Sequence, residues 1–396
     1  MWTARKCLPY LLILLIVPIS GNVGALFRLS VSAACAIERS HPYLLFGLPL
    51  IGLVIAGLYQ WTRVSIHEDR FCLAELLCLG CPYSFWHGPL VFISATLTHL
   101  FGGSAGCEGS SFLLGGALAS PLQRFFADDD RGYRLLTLCA MSSCFAPLLG
   151  TPLTAAFYVI EMTRQPRLIP LLVCIAGSYL AILSTQWAGI EPFAFPLGAV
   201  EIGSGRTFWL LALTTLLFAV IGVVFNHCMY VSRYYFSKIP SIYATIFFGG
   251  AAVAALTVLF GCENCSGLGW PTIRDALAGQ ANFSDGFWKI VLTSITMGVG
   301  YKGGQIVPSF FVGATLGCSI ALTFGLDAQL GAALGLIAAF ASVVQSPCSA
   351  MALSLEAFGG NGFVLFMTTC LFVVLLRRAF HRWLAPEVVK VTGGRI

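Results

Sequence analysis

The sequence predicts an all-α integral membrane protein made of two related helical halves, each with a glycine-rich break inside apolar sequence. Three observations carry that prediction. First, the 396 residues are 58% hydrophobic and only 10% charged. A soluble domain carries about 25% charged residues, so the polar surface here cannot cover a water-facing globule. Second, apolar stretches recur along the whole chain, among them 43–59, 208–230, 242–260 and 363–376. Several others fall short of the roughly 20 residues that a spanning helix needs and are interrupted by Gly or Pro, as in helices that stop inside a membrane. Third, the chain repeats itself at an offset of half its length.

Taken in order, Arg5 and Lys6 precede an apolar run over 8–20 that resembles a signal peptide. The next apolar segments follow at once, so the run reads as a first membrane helix instead. Basic residues cluster at Arg5/Lys6, Arg164/Arg167 and Arg377/Arg378/Arg382. Those clusters place both termini in the cytoplasm. They also account for the net charge of +5, with no basic stripe of interleaved aromatics that would mark a nucleic-acid partner. Two CxxC pairs stand among the 15 cysteines, Cys78/Cys81 and Cys262/Cys265. Neither has a second ligand pair nearby to complete a zinc site, so the thiols read as small buried hydrophobes. His67-Glu68-Asp69 lacks a second ligand cluster, and Asp128-Asp129-Asp130 reads as a solvated loop. No metal and no cofactor is expected.

The repeat pairs Thr98/Thr296, Gly102/Gly300, Gly106/Gly304, Ser111/Ser309, Phe112/Phe310, Gly115/Gly313 and Leu118/Leu316, at an offset of 198 (309 less 111). A second block pairs 151–161 with 346–356 at an offset of 195 (356 less 161). One glycine-rich match in membrane sequence would mean little, but two ordered blocks at nearly one offset mark a duplication. The halves are 1–206 and 207–396, together one transport domain, with no cytoplasmic regulatory domain expected. The repeat alone leaves open whether the halves are parallel or inverted. An odd number of crossings per half would invert the second and bring the breaks together at the midplane.

Gly102, Gly103, Gly106 and Gly109 make a continuous helix costly through the first break. A helix restarting near residues 108–110 leaves its first N–H groups unpaired, at several kcal/mol each in lipid. A bound anion satisfies them and is favoured by the helix dipole. The second break, 300–308, does the same, with Pro308 suited to a first helical turn. Helix packing alone explains Gly115, Gly116 and Gly313. It does not explain Glu108, an intramembrane carboxylate and therefore a functional candidate. Deprotonated, Glu108 would occupy the helix-terminus site and block it; protonated, it would withdraw and admit an anion. Beside the second break, Tyr301 would line the pore or pack in the core. Lys302 would add positive potential at the pore entrance or snorkel to the interface. Glu161 and Glu356, equivalent in the repeat, read as structural partners of nearby backbone or of a cation.

At these residues the chain resembles the CLC family of chloride channels and anion/proton antiporters. The family's Gly-Lys/Arg-Glu-Gly-Pro signature corresponds to Gly106-Cys107-Glu108-Gly109-Ser110, and Gly-x-Phe-x-Pro to Gly304-Gln305-Ile306-Val307-Pro308. The wording at 99–106, 300–304 and 310–317 is most similar to the fluoride-transporting branch, and the resemblance spans roughly 11–366. It implies a homodimer with one pore per subunit, in a multi-pass protein of the cell (inner) membrane. It also implies inverted halves whose broken helices meet at the membrane midplane. Glu108 becomes the external gate and proton acceptor. The backbone of Gly106, Cys107 and Gly109 and of Gln305, Ile306 and Val307 becomes the anion-coordinating set. The partners are then chloride or fluoride, protons and the lipid bilayer, in a transporter rather than an enzyme.

The departures bear on coupling. Cys107 replaces the usual Arg or Lys, Gln305 and Val307 replace the Glu and Thr of the fluoride branch, and Met162 falls where the chloride antiporters place an inner glutamate. Proton exchange and uncoupled chloride conduction both stay open, as does a non-transporting degenerate member of the family. An intramembrane enzyme using Glu108 or His99 is the rival class, and a metalloprotease of that kind would want an HExxH ligand set that the chain lacks.

Overall fold

The computed structural model describes residues 2–64, 84–126, 129–164, 167–198 and 205–392, with side chains between residues 11 and 380. Among them the fold is helical, without a β-strand. The first set of helices is α1 (Trp2–Ser40), α2 (Leu48–Thr62), α3 (His87–Leu100), α4 (Glu108–Ala119), α5 (Asp130–Leu149), α6 (Pro152–Met162) and α7 (Leu168–Ser184). The second is α8 (Gly205–Phe236), α9 (Ile242–Leu259), α10 (Trp270–Leu277), α11 (Phe283–Gly298), α12 (Ile306–Thr323), α13 (Ala328–Val344), α14 (Pro347–Phe358) and α15 (Phe363–Thr392). The apolar run over 8–20 lies within α1, continuous with the helix that follows it.

Seven of the described helices are long and apolar enough to cross a membrane. The apolar windows of α8 and α9 are only 39% buried, whereas those of α5 and α12 are 83% and 78% buried. The former must therefore face lipid, and the latter form the interior. Several of the remaining helices are too short to span. At about 1.5 Å per residue, the 12-residue α4 covers little more than half a bilayer core. Such a helix is tolerated where protein surrounds its ends.

The repeat extends further in three dimensions than in sequence. Phe112 stacks on Phe145 at 4.9 Å between centroids, and its counterpart Phe310 meets Phe340 edge-on at 5.2 Å. Asp129 caps α5 through the Gly132 N–H at 2.9 Å, and Asp327 caps α13 through the Leu330 N–H at 3.0 Å. The expected loop at Asp129 and Asp130 is thus a helix start, because an Asx side chain at the N-cap satisfies a donor the helix cannot. Asp128 lies outside the described residues. The change of offset also has a location: α5 has 20 residues and α13 has 17. Gly115 and Gly313 serve packing as expected. A Cβ on Gly115 would strike the Ala140–Met141 backbone, and one on Gly313 the Gly335–Leu336 backbone.

Between α6 and α14 the symmetry is reciprocal. Glu356, near the end of α14, accepts from the N–H groups of Leu153 and Thr154 at 2.7 and 2.9 Å at the start of α6. Glu161, near the end of α6, accepts from the N–H groups of Cys348 and Ser349 at 2.8 and 2.9 Å at the start of α14. Thr154 Oγ1 and Ser349 Oγ complete the two clasps. Each carboxylate faces the positive end of the other helix, which requires the two helices to run antiparallel. That is the arrangement of inverted halves. Removing a carboxylate strands two donors at about 1–3 kcal/mol each. Glu356→Ala is therefore expected to lower the unfolding midpoint in detergent by several degrees, on the order of 5 °C. Glu161→Ala should lower it less, because Cys348 is exposed. Thermal melts of both variants at unchanged helix content check this.

Candidate anion-binding site

The first break begins where α3 runs out. The Gly103 N–H turns back to the Thr98 carbonyl at 2.8 Å, and Gly102 takes φ +74°, a left-handed turn open to glycine. His99 is fully buried, with Nδ1 2.7 Å from the Ala95 carbonyl and Nε2 3.1 Å from that of Ala105. It ties the end of α3 to the far side of the break. Ser104 Oγ meets Thr293 Oγ1 of α11 at 3.2 Å. The second break turns at Gly300, φ +113°, and leads into α12.

The two breaks pair with each other. The Gly106 N–H donates to the Gly304 carbonyl at 2.8 Å, and the Gly304 N–H to the Gly106 carbonyl at 2.6 Å, as one antiparallel bridge. The approach is close enough to demand glycine, since a Cβ on Gly304 would lie 2.6 Å from the Gly109 nitrogen. The bridge brings the N-termini of α4 and α12 together, so their unpaired N–H groups face a common space.

Glu108 lies in that space, 1% exposed. Its Oε2 accepts from the Val307 N–H at 3.4 Å, and the Cys107 thiol lies 3.4 Å from Oε1. The carboxylate is also within reach of its own N–H and that of Cys107. A carboxylate of one break thus sits at the open helix end of the other. The long Val307 contact is a weak bond by geometry, one that a small competing anion could replace.

Of the residues expected at the site, Gly106 bonds to Gly304, and Gly109 packs on Gly303 and Gly304. Glu108, in contact with the Cys107 thiol, reaches Val307, which follows Gln305 and Ile306 at the start of α12. Gln305 is the N-cap of α12 and makes no side-chain cap bond. Tyr301 is buried beside the second break. Its hydroxyl donates to the Leu48 carbonyl at 2.6 Å, fastening the second break to α2. Lys302 is 8% exposed and its ammonium lies 4.8 Å from the Tyr59 ring centroid, a cation–π contact rather than a snorkelled interface lysine. Sequence reasoning missed Lys289, fully buried on α11. Its signal was present, a single lysine in the apolar run that leads to the second break.

Cys262 and Cys265 are buried, and the Cys265 thiol lies 3.3 Å from the Asp285 carbonyl, consistent with small buried thiols. Cys78/Cys81 and His67-Glu68-Asp69 lie outside the described residues. Among those described, no group of three His, Cys, Asp or Glu side chains could hold a metal.

The sequence profile described as "Voltage gated chloride channel" matches residues 73–376. A "Chloride/fluoride channel protein" of Pseudomonas syringae pv. tomato is 26% identical over 356 residues, covering 87% of this chain and 78% of that protein. The "H(+)/Cl(-) exchange transporter ClcA" of Klebsiella pneumoniae is 25% identical over 397 residues, covering 90% and 83%. Among solved structures, a CLC-type fluoride/proton antiporter superposes with a TM-score of 0.87 at 28% identity, with 96% of each chain covered. A slow cyanobacterial Cl-/H+ antiporter shares the fold at a TM-score of 0.79 and 20% identity, with 94% of each chain covered. Together with the paired breaks, the match over residues 73–376 makes the chain a member of the voltage gated chloride channel (CLC) family, with that family's all-helical membrane fold.

Proposed function

We propose that this protein carries a small halide, chloride or fluoride, across the membrane through the space between the two breaks, with Glu108 as its gate. The observation that carries the reading is the Glu108 carboxylate at the N-terminus of α12, 3.4 Å from the Val307 N–H. A halide and a carboxylate compete for the same donors, because each satisfies unpaired N–H groups at the positive end of a helix. Protonation turns the carboxylate into a weaker acceptor and frees the site. The backbone of Gly106, Cys107 and Gly109 and of Gln305, Ile306 and Val307 then surrounds the anion. The relatives support the ion class through their names, a chloride/fluoride channel protein and chloride and fluoride antiporters.

Proton exchange rests on Glu108 alone. Gln305 and Met162 are uncharged where the resemblance expects carboxylates, and that favours weakly coupled or uncoupled conduction as the second reading. We place the protein in the cell membrane with both termini cytoplasmic, as a homodimer of chains with halves 1–206 and 207–396. Parallel fluoride and chloride efflux from liposomes, with pH recorded, tests the assignment. A halide current accompanied by proton uptake establishes exchange, and a current without it establishes conduction. No flux of either halide under any gradient would sink the proposal.

A further inference from the structure

Lys289 occupies a fully buried position in α11, where an amine must find three partners or lose its charge. It finds them. Nζ donates to the Cys265 carbonyl at 2.9 Å and the Gly267 carbonyl at 2.7 Å, and the Phe311 ring centroid lies 5.0 Å away. Two carbonyl oxygens and an aromatic face form a cage for an ammonium. No described carboxylate reaches within ion-pairing distance, so the positive charge is not cancelled locally.

The repeat gives this position meaning. At the offset of 198, the counterpart of Lys289 is Val91 (289 less 198), a buried aliphatic on α3. The counterpart of Glu108 is Ile306. At these two positions one half carries an ionisable side chain where the other has an aliphatic, and the two are of opposite sign. Phe311, which faces the ammonium, lies in the second turn of α12, the helix whose N-terminus receives the Glu108 carboxylate.

The charged and titratable groups within electrostatic reach of Lys289 are Cys35 and Glu38 of α1, Cys265 beside α10, Glu108 of α4 and His99 of α3. Glu108 and Cys107 also face Arg28 of α1, whose guanidinium donates to the Pro147 and Glu191 carbonyls. Asp285, on its own helix, is one turn away and largely buried. Cys107 is neutral at the position where the resemblance expects Arg or Lys.

We propose that Lys289 is a fixed positive charge that the second half supplies to the transport core, beside Arg28 of α1 and Lys302 of the second break. It raises halide occupancy between the breaks and favours the charged form of Glu108, from the half of the protein opposite to the gate. The inference rests on the halide-carrier reading of the site. At an effective dielectric of about 20, a unit charge within electrostatic reach shifts an equilibrium on the order of tenfold. Lys289→Met is therefore expected to raise the half-saturating halide concentration by about tenfold. It should also move the pH of half-maximal flux upward by about one unit, because without the cation Glu108 protonates more readily. Lys289→Arg keeps the charge and the donors and should stay near wild type in both measurements.

Efflux from liposomes at graded halide concentration and pH reads both quantities. A folded Lys289→Met protein with wild-type half-saturation and pH profile overturns the proposal. So does a Lys289→Arg protein as impaired as Lys289→Met. If Lys289→Met does not fold, lysine 15N spectra of the wild type in nanodiscs decide, with the signal assigned by its loss in Lys289→Arg. An ammonium signal that moves on adding fluoride or chloride supports the role, and a neutral amine or a signal indifferent to both halides overturns it. Absence of wild-type flux would instead strike the halide-carrier reading itself, and this inference with it.

Discussion

Glu108→Gln is expected to abolish the pH dependence of halide flux and any proton movement coupled to it, while the pore stays conductive. The amide matches the protonated acid in size and cannot titrate. On the proposed reading, a halide in the wild type displaces a carboxylate held by backbone N–H groups. A hydrogen bond to a charged group is worth about 1.5–3 kcal/mol. Losing that competitor should raise apparent halide affinity on the order of 10- to 100-fold. Glu108→Ala, which removes the side chain's polar atoms, should go at least as far. Ion-selective electrode recordings across acid and neutral pH measure the effect. A Glu108→Gln protein with the wild-type pH profile would assign the titration to another group.

The second large effect is expected from a single methyl group. Gly304→Ala places a Cβ where 2.6 Å separates it from the Gly109 nitrogen. Backbone on both sides leaves no flexible side chain to yield. Overpacking of this kind costs about 1–3 kcal/mol or more, and relief requires the breaks to part, which breaks the Gly106–Gly304 bridge. The helices around the site depend on their own packing, so helix content and particle size should persist while halide flux falls to background. Circular dichroism with liposome efflux on one preparation separates these. Wild-type flux in Gly304→Ala would mean that the bridge is not needed for the pore.

The breaks were legible in sequence because their signals are local. Clustered glycines disfavour helix within a few residues, and the offset of 198 pairs Gly106 with Gly304, the residues that bond each other. Glu108 stood out because a carboxylate in apolar sequence is expensive. The partners of side chains were less legible, since they are set by tertiary packing across the repeat. Glu161 and Glu356 read as structural, but the donors they accept from lie in the opposite half. Asp129 reads as loop because three adjacent acids suggest solvent, and a cap looks the same until the helix behind it is known. Tyr301 reads from its neighbours as lining the pore or packing in the core; the partner of its hydroxyl, the backbone of α2, comes from far along the chain. Lys289 was passed over because hydropathy averages a single charge away; its cage is assembled from the turn before α10 and from α12.

The exchanged carboxylates between α6 and α14 also bear on how the chain is made. Synthesis proceeds from the N-terminus, and early segments generally fold before later ones exist. The donors at the start of α6 nonetheless wait for Glu356, about two hundred residues downstream. Until then the first half must reside in the membrane with a helix end unsealed, and the second half arrives needing Glu161 in return. Neither half is a finished product alone. A ribosome pausing between them would leave an insertion intermediate in need of a chaperone, and the two halves produced as separate chains should each be short-lived until they meet.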